Sequence, residues 1–470
     1  MRVASLVIRT GRADLDFDGI RTEFGLRPTF PAEVLAEAEA AVSRSPGDRP
    51  DLTSIPLVTI DPPGAKDLDQ ALCLERTSSG FVVHYAIADL GAFVTPGGAL
   101  DTEVRQRGQT VYLPDGNVPL HPTVLSEGAA SLLPGVVRPA VLWTFTCSAD
   151  GVPTSVEVRR ALVRSTAQFD YAAVQETFDA GNPHPSVAAL AEFGPLRRAL
   201  ARERGAIELQ LPEQEIESNG DGWKLVTRPR AQVDAWNAEI SLMTGMAAAS
   251  LMLDARVGIL RTLPNPDAAA VASLRKSAAA LQVPWPADVS PGALLADLDA
   301  STPEALALFT DATRLLRGAG YTAFNGTVPE VTTHAGVAAP YTHVTAPLRR
   351  LVDRFATEAC LAISAGQDLP PWLSESLPQL PALMGASDSL ASKVERASLD
   401  LVEAWVLAGR VGQEFSAVVL RAGEQEAEVF IANPPVLAKC SGKRLPEGEQ
   451  VKVRLVEADP VQRRVRFERA

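Results

Sequence analysis

Residues 58–75 read "VTIDPPGAKDLDQALCLE". An apolar run closes at Ile60, three aspartates (Asp61, Asp67 and Asp69) fall within the next nine positions, and apolar residues resume after Gln70. A chain extended past Ile60 puts Asp67 and Asp69 on one face, because side chains alternate along a strand. The turn residues of "PPGAK" can fold Asp61 back toward that pair. Carboxylates brought together raise one another's pKa. A hard divalent cation relieves that conflict, and Mg²⁺ takes oxygen ligands while keeping several waters. Taken alone, the stretch reads equally as a solvated acidic turn or a helix N-cap.

A second stretch, "HAGVAAPYTHVTAPLRRLVDR" (334–354), carries adjacent arginines, Arg349 and Arg350, behind Pro347. Proline suits a first helical turn, so a long helix is expected over about 347–365. Arginines at such a helix start can clamp phosphate, helped by the dipole and free N–H groups. By itself this too is an ordinary surface pattern.

The surroundings limit the options. The chain has 470 residues, 46% hydrophobic and 21% charged, which suits a soluble globular protein with one large unit and smaller ones. Cys73, Cys147, Cys360 and Cys440 are widely spaced, against a disulfide framework or zinc cluster and in keeping with a reducing, cytoplasmic setting. The start, "MRVASLVIRTGRADLDFDG", has too short an apolar run for a leader, and no run is long enough for a membrane span. A formal charge of −13 is unpromising for nucleic acid, yet binding depends on local patches. Residues 411–470 hold ten Lys+Arg and nine Asp+Glu, a net of +1, so this tail is electrostatically distinct from the acidic remainder.

Three units are expected: a short helical region (1–50), an α+β domain with a sheet core and surrounding helices (51–408), and a five-stranded OB-type barrel (409–470). The first contains the helix "PAEVLAEAEAAVSR". The second opens with strands in "IPLVTI", "ALCLE", "FVVHYAIADL", "TVYLP" and "AVLWTFTCSADG", then turns helical in "VDAWNAEISLMTGMAAASLML" and "SDSLASKVERASLDLVEAWVLAG". The third shows "EFSAVVL", "EAEVFI", "QVKVRLVEA" and "RRVRFE".

Here the chain resembles the ribonuclease II family in its catalytic (RNB) domain. That family's acidic signature, T-I-D-x(5)-D-x-D-D-A, is matched by Thr59, Ile60, Asp61, Asp67, Asp69, Gln70 and Ala71. Its Y-T-H-F-T-S-P-I-R-R signature is matched by Tyr341 through Arg350. The segment "YAIADLGAFVTPGGALDTEVRQRGQTVYLPDGNVPLHPTVLSEGAASLLPG" follows the family pattern between them, as do "FDYAAVQ" and "RGAIELQLPE". The last sixty residues resemble the S-one-type OB domain that usually ends these enzymes.

The resemblance implies a processive, Mg²⁺-dependent (Mn²⁺ as alternative) 3′→5′ exoribonuclease that hydrolyses single-stranded RNA to nucleoside 5′-monophosphates. Asp61, Asp67, Asp69 and Gln70 would hold metal, with Asp69, Asp67 and Arg349 carrying catalysis. Arg350, Thr345, Tyr112, Tyr171 and Glu239 would contact RNA, Tyr112 by stacking on a base. His334 and His343 match family histidines expected to be buried and hydrogen-bonded.

The departures are Gln70 for a metal-binding aspartate, Ala346 for serine, Gly245 for asparagine, and Thr357-Glu358 for a His-Arg pair. Fifty leading residues are too few for the two cold-shock domains common in the family, so a more open entrance tolerant of some RNA structure is expected. No membrane role or protein partner is suggested. Two rivals stand beside the nuclease: an inactive RNA-binding protein of the same fold, motivated by Gln70, and a phosphoesterase acting on small substrates.

Overall fold

The computed structural model describes residues 15–209, 213–218, 223–228 and 231–470. Residues 1–14, including most of the N-terminal stretch considered above, and part of "RGAIELQLPE" lie outside them. The architecture is α+β, organised around two closed five-stranded barrels.

The chain opens with α1 (Phe17–Glu23) and α2 (Ala32–Val42). The first barrel follows: β1 (Leu57–Ile60), β2 (Gln70–Thr77) and β3 (Gly80–Ala88). Helix α3 (Ala99–Arg107) and a small hairpin, β4 (Val111–Leu113) and β5 (Gly116–Val118), interrupt it. It is completed by β6 (Val137–Ser148) and the 17-residue β7 (Pro153–Phe169). Neighbouring strands run antiparallel, and parallel pairing of β1 with the end of β7 (Ile60 opposite Phe169) closes the ring. β1 is buried throughout and β3 nearly so, because side chains fill the interior while helices cover the outside.

The covering layer contains α4 (Tyr171–Asp179), α5 (Leu190–Arg204) and the 23-residue α6 (Gln232–Asp254), while a hairpin of β8 (Glu213–Ser218) and β9 (Trp223–Arg228) packs instead against the C-terminal part of the chain. Strands β10 (Val257–Thr262) and β11 (Gly320–Asn325) flank a helical insertion, α7 (Ala268–Ala280), α8 (Pro291–Ala296) and α9 (Pro303–Ala312), which has its own apolar core. After the two-residue strands β12 (Thr333–His334) and β13 (Ala339–Pro340) come α10 (Leu351–Ser364), packed on α6 and β7, then α11 (Pro371–Ser376) and the 28-residue α12 (Leu380–Leu407).

The second barrel is β14 (Glu414–Ala422), β15 (Glu426–Ala432), β16 (Pro435–Ser441), β17 (Gln450–Asp459) and β18 (Arg464–Arg469). Its ring order β14-β15-β16-β18-β17 is that of an OB fold, with β16 and β18 parallel. Its core is continuous with residues of α1, α12 and the β4–β5 hairpin. Arg21 of α1 makes a bidentate pair with Asp115 in the β4–β5 turn (2.6 and 2.8 Å), while Glu23 pairs with Arg463 in the β17–β18 turn. No helix among the described residues is long and apolar enough to cross a membrane.

One expected element is corrected. The helix placed at Pro347 begins at Leu351, and Arg350 before it is extended (φ −133°, ψ 127°). Remote partners capture this backbone first: Thr110 N donates to Arg349 O, and Leu351 N donates to Gly108 O (both 2.9 Å). The arginines therefore precede the helix instead of opening it.

Candidate active site

The site lies at one end of the first barrel, where β1 and β7 stop and β2 begins. Asp61 immediately follows β1, its N–H donating to Phe169 O (3.0 Å), and Asp69 immediately precedes β2. Tyr171 follows β7 at the same rim. The 62–68 loop carries Asp67 between them and is pinned by the buried Ser131 hydroxyl, which accepts from Leu68 N (2.9 Å) and donates to Lys66 O (2.6 Å).

The 341–350 segment is laid across this rim by a series of remote bonds. Thr342 N donates to Gly245 O (3.2 Å), and its hydroxyl donates to Ile259 O (2.8 Å). A Cβ on Gly245 would sit 2.2 Å from the Tyr341 ring and 2.5 Å from Thr342 O, so α6 needs glycine where the family commonly has asparagine. His343 pairs with the Tyr321 hydroxyl (2.7 Å), and burial pushes its pKa well down. His334, by contrast, is only half-buried, and its Nδ1 has no hydrogen-bond partner, unlike the expectation. Leu348 N donates to Asp69 Oδ1 (2.7 Å), and Arg349 Nε stands 3.9 Å from Asp69 Oδ2. Acids and arginines some 280 residues apart thus meet in one pocket.

Burial raises Asp69 well above the ordinary carboxylate range, opposed by Arg349 and the Leu348 amide. Asp61 is pushed up to about 7, first by burial and then by the charge of Asp67. Burial also raises Asp67, while Arg349 and the Tyr112 hydroxyl favour its charged form. Tyr112, on β4, is 51% exposed beside these groups, and Arg349 is 43% exposed at its side chain. Both present themselves to whatever enters the pocket.

Other expected residues are held more tightly. Arg350 makes a bidentate bond to Asp353 (2.9 and 2.8 Å), and Asp353 also accepts from Ala346 N (2.7 Å). Burial works against the charge of Arg350, and Asp353 overrides it. Thr345 is buried, with its carbonyl accepting from Gln70 Nε2 (2.6 Å). Gln70 Oε1 accepts from the Tyr85 hydroxyl (2.5 Å), which is 2.7 Å from Ser241 Oγ. Tyr171 is at the rim, its hydroxyl accepting from Asn237 Nδ2 (3.3 Å). Glu239 is not brought to the acids. On α6, Asn237 and Ser241 face the rim, and Glu239, about 200° around the helix from each, is buried near Arg197 and Arg204 of α5.

The four-ligand expectation for a metal therefore contracts. Among the described residues no three carboxylate, His or Cys groups converge on one point. Asp69 is engaged by Leu348 N and Arg349, and the Gln70 amide is spent on Tyr85 and Thr345. Asp61 and Asp67 remain, and they fit a hard cation that keeps much of its water. They repel each other, and Asp61 Oδ2 is buried without a hydrogen-bond partner.

Sequence reasoning missed Leu348 N, Tyr85, Ser241 and Asp353. Only Asp353 left a local trace, an acid three residues after Arg350. The Glu358 departure is explained by Arg160, which it pairs with and which also binds Asp89 (3.0 Å).

Barrel, rim and C-terminal OB fold define the class first. Residues 49–359 match the RNB domain, and residues 413–470 match the RNase II-type exonuclease C-terminal S1 domain. The first match spans more than half of the chain, which therefore belongs to the RNB-domain exoribonuclease family. Ribonuclease R of Escherichia coli (strain K12) is 30% identical over 338 residues, 68% of this chain and 40% of that protein. The exosome complex exonuclease RRP44 homolog A of Arabidopsis thaliana is 29% identical over 375 residues, 76% and 40% respectively. The chain spans less than half the length of the curated relatives it matches. In fold it is similar to the apo form of Mycoplasma genitalium RNase R, with a TM-score of 0.86, 19% identity, and coverage of 97% of this chain and 78% of that one.

Proposed function

We propose that the protein is a metal-dependent, processive 3′→5′ exoribonuclease that hydrolyses single-stranded RNA to nucleoside 5′-monophosphates. The observation that carries this reading is the meeting of Asp69 with Arg349 and Leu348 N beside the Asp61–Asp67 pair. In it, Asp61 and Asp67 would hold the cation, Mg²⁺ in the first instance and Mn²⁺ as alternative. Such an ion, when bound, supplies positive charge to phosphate and activates water for attack on phosphorus.

The remaining steps belong to the chain. Arg349, exposed and already facing the acids, neutralises charge developing on the scissile phosphate. Asp69, held by the Leu348 amide, keeps Arg349 aimed across the pocket through their ion pair. Tyr112 offers an exposed ring on which the terminal base stacks, a contact worth about 1–3 kcal/mol and indifferent to sequence. The OB barrel, with basic side chains such as the exposed Lys439, holds the strand behind it by phosphate contacts. The similarity to Mycoplasma RNase R, solved with single-stranded and double-stranded RNA, supports RNA as the polymer.

Incubation of 5′-labelled oligo(A) with Mg²⁺ tests this. A ladder shortening from the 3′ end, with mononucleotide product, is expected for the wild type and not for Asp69→Asn.

A second reading is favoured by Gln70, neutral where an acid is usual: an RNA-binding protein that does not hydrolyse. Yeast Ssd1, described as a pseudonuclease, has a related fold (TM-score 0.68, 16% identity). That reading requires salt-sensitive RNA binding without mononucleotide release at any Mg²⁺ or Mn²⁺ concentration.

A further inference from the structure

We propose that Gln70 is a positioning residue and not a weakened metal ligand: its amide ties the acid-bearing end of β2 to the segment that presents Arg349. The geometry allows one orientation of that amide. Thr345 O can only accept, so the group 2.6 Å from it must be Nε2. Oε1 is thereby turned to the Tyr85 hydroxyl at 2.5 Å, which lies 2.7 Å from Ser241 Oγ. Tyr85 is wholly buried inside the barrel wall and Ser241 is on α6, so Gln70 links β2 to β3 and to the 341–350 segment, and Tyr85 extends that network to α6. The carbonyl oxygen cannot face a cation while this network stands.

The same geometry explains the departure from aspartate. An aspartate at position 70 is one methylene shorter and, when ionised, has no donor for Thr345 O. It would release Thr345, and with it the stretch that carries Leu348 N and Arg349 to Asp69. Glutamate reaches as far as glutamine and can replace it only when protonated, its O–H donating to Thr345 O while its C=O accepts from Tyr85. This inference rests on the nuclease reading only for its effect on turnover.

Gln70→Glu and Gln70→Asp are compared with wild type in EDTA at pH 8 and pH 5.5. The Gln70→Glu melting temperature is expected a few degrees below wild type at pH 8, with the gap closing at pH 5.5. Gln70→Asp keeps its gap at both. Mn²⁺ affinity by calorimetry is expected to be no tighter in either variant than in wild type. On oligo(A), Gln70→Glu at pH 8 should lose kcat about tenfold with KM little changed. About tenfold tighter Mn²⁺ binding by either variant, a pH-independent gap for Gln70→Glu, or an unchanged kcat would each overturn the proposal. A wild type that releases no mononucleotide fails the nuclease reading instead, and leaves melting and Mn²⁺ binding to decide the role of Gln70.

Discussion

The two barrels have the same number of strands and treat charge in opposite ways. In the first, β1 and β3 are buried almost throughout although β7 is largely exposed, and most charged groups at its end are sequestered: Asp353 and Asp69 are buried and Arg350 is 14% exposed at its side chain, with Arg349 left at 43%. In the second, burial alternates along β15, and charges stand in solvent, Lys439 and Glu426 pairing at 3.0 Å with 72% and 43% exposure. Helix α10 packs on β7 and residues of α6 join the core of the first barrel, whereas α9 and α12 cover only part of the second and leave Lys439 and Glu426 in solvent. Electrostatic interactions are stronger where water is excluded. The enclosed end of the first barrel is suited to chemistry, and the solvent-facing strands of the second keep their charges screened by water.

If this contrast holds, damage at the first barrel should be large and local. Arg349→Ala is expected to lower kcat on oligo(A) by about 10²–10³-fold, as when one preorganised charge donor is lost. A drop confined to KM would contradict the assignment. Asp353→Asn leaves Arg350 buried without its counter-ion, and urea unfolding should report a loss of about 3–5 kcal/mol.

The pH response sharpens the comparison further. Asp61, raised to about 7 in the fold, is near 3.8 when unfolded, so the metal-free native state binds the extra proton between those values. Its stabilising contribution is complete below about pH 4 and is lost as pH rises through 7. Melting in EDTA should show this fall, and Asp61→Asn should flatten it. At the second barrel, Lys439→Met breaks only an exposed pair, costing at most about 1 kcal/mol. Its readout is RNA affinity, whose salt slope should drop by about 0.7 if Lys439 meets a phosphate.

These contrasts also govern what could be read from the sequence. The OB strands were legible because one face meets solvent, which imprints alternation on residues 414–431 and 450–468. The acid run and the Arg349–Arg350 pair were visible as composition, and their meeting followed from the family resemblance. β7 was not legible as a 17-residue strand, since Glu157, Arg159 and Arg160 interrupt its pattern and Arg160 is neutralised by Asp89 and Glu358, far away in sequence. The helix start was misplaced for a similar reason: residues 108–110 compete for the backbone of 349–351. The bonds of Gln70 span 15 and 275 residues, and no local pattern encodes such partners.

Helix α1 adds a mechanical corollary. Through Arg21 it grips the turn next to Tyr112, and through Glu23 it grips a turn of the OB barrel. Seven residues thus act as a yoke that ties the hairpin carrying Tyr112 to the C-terminal barrel.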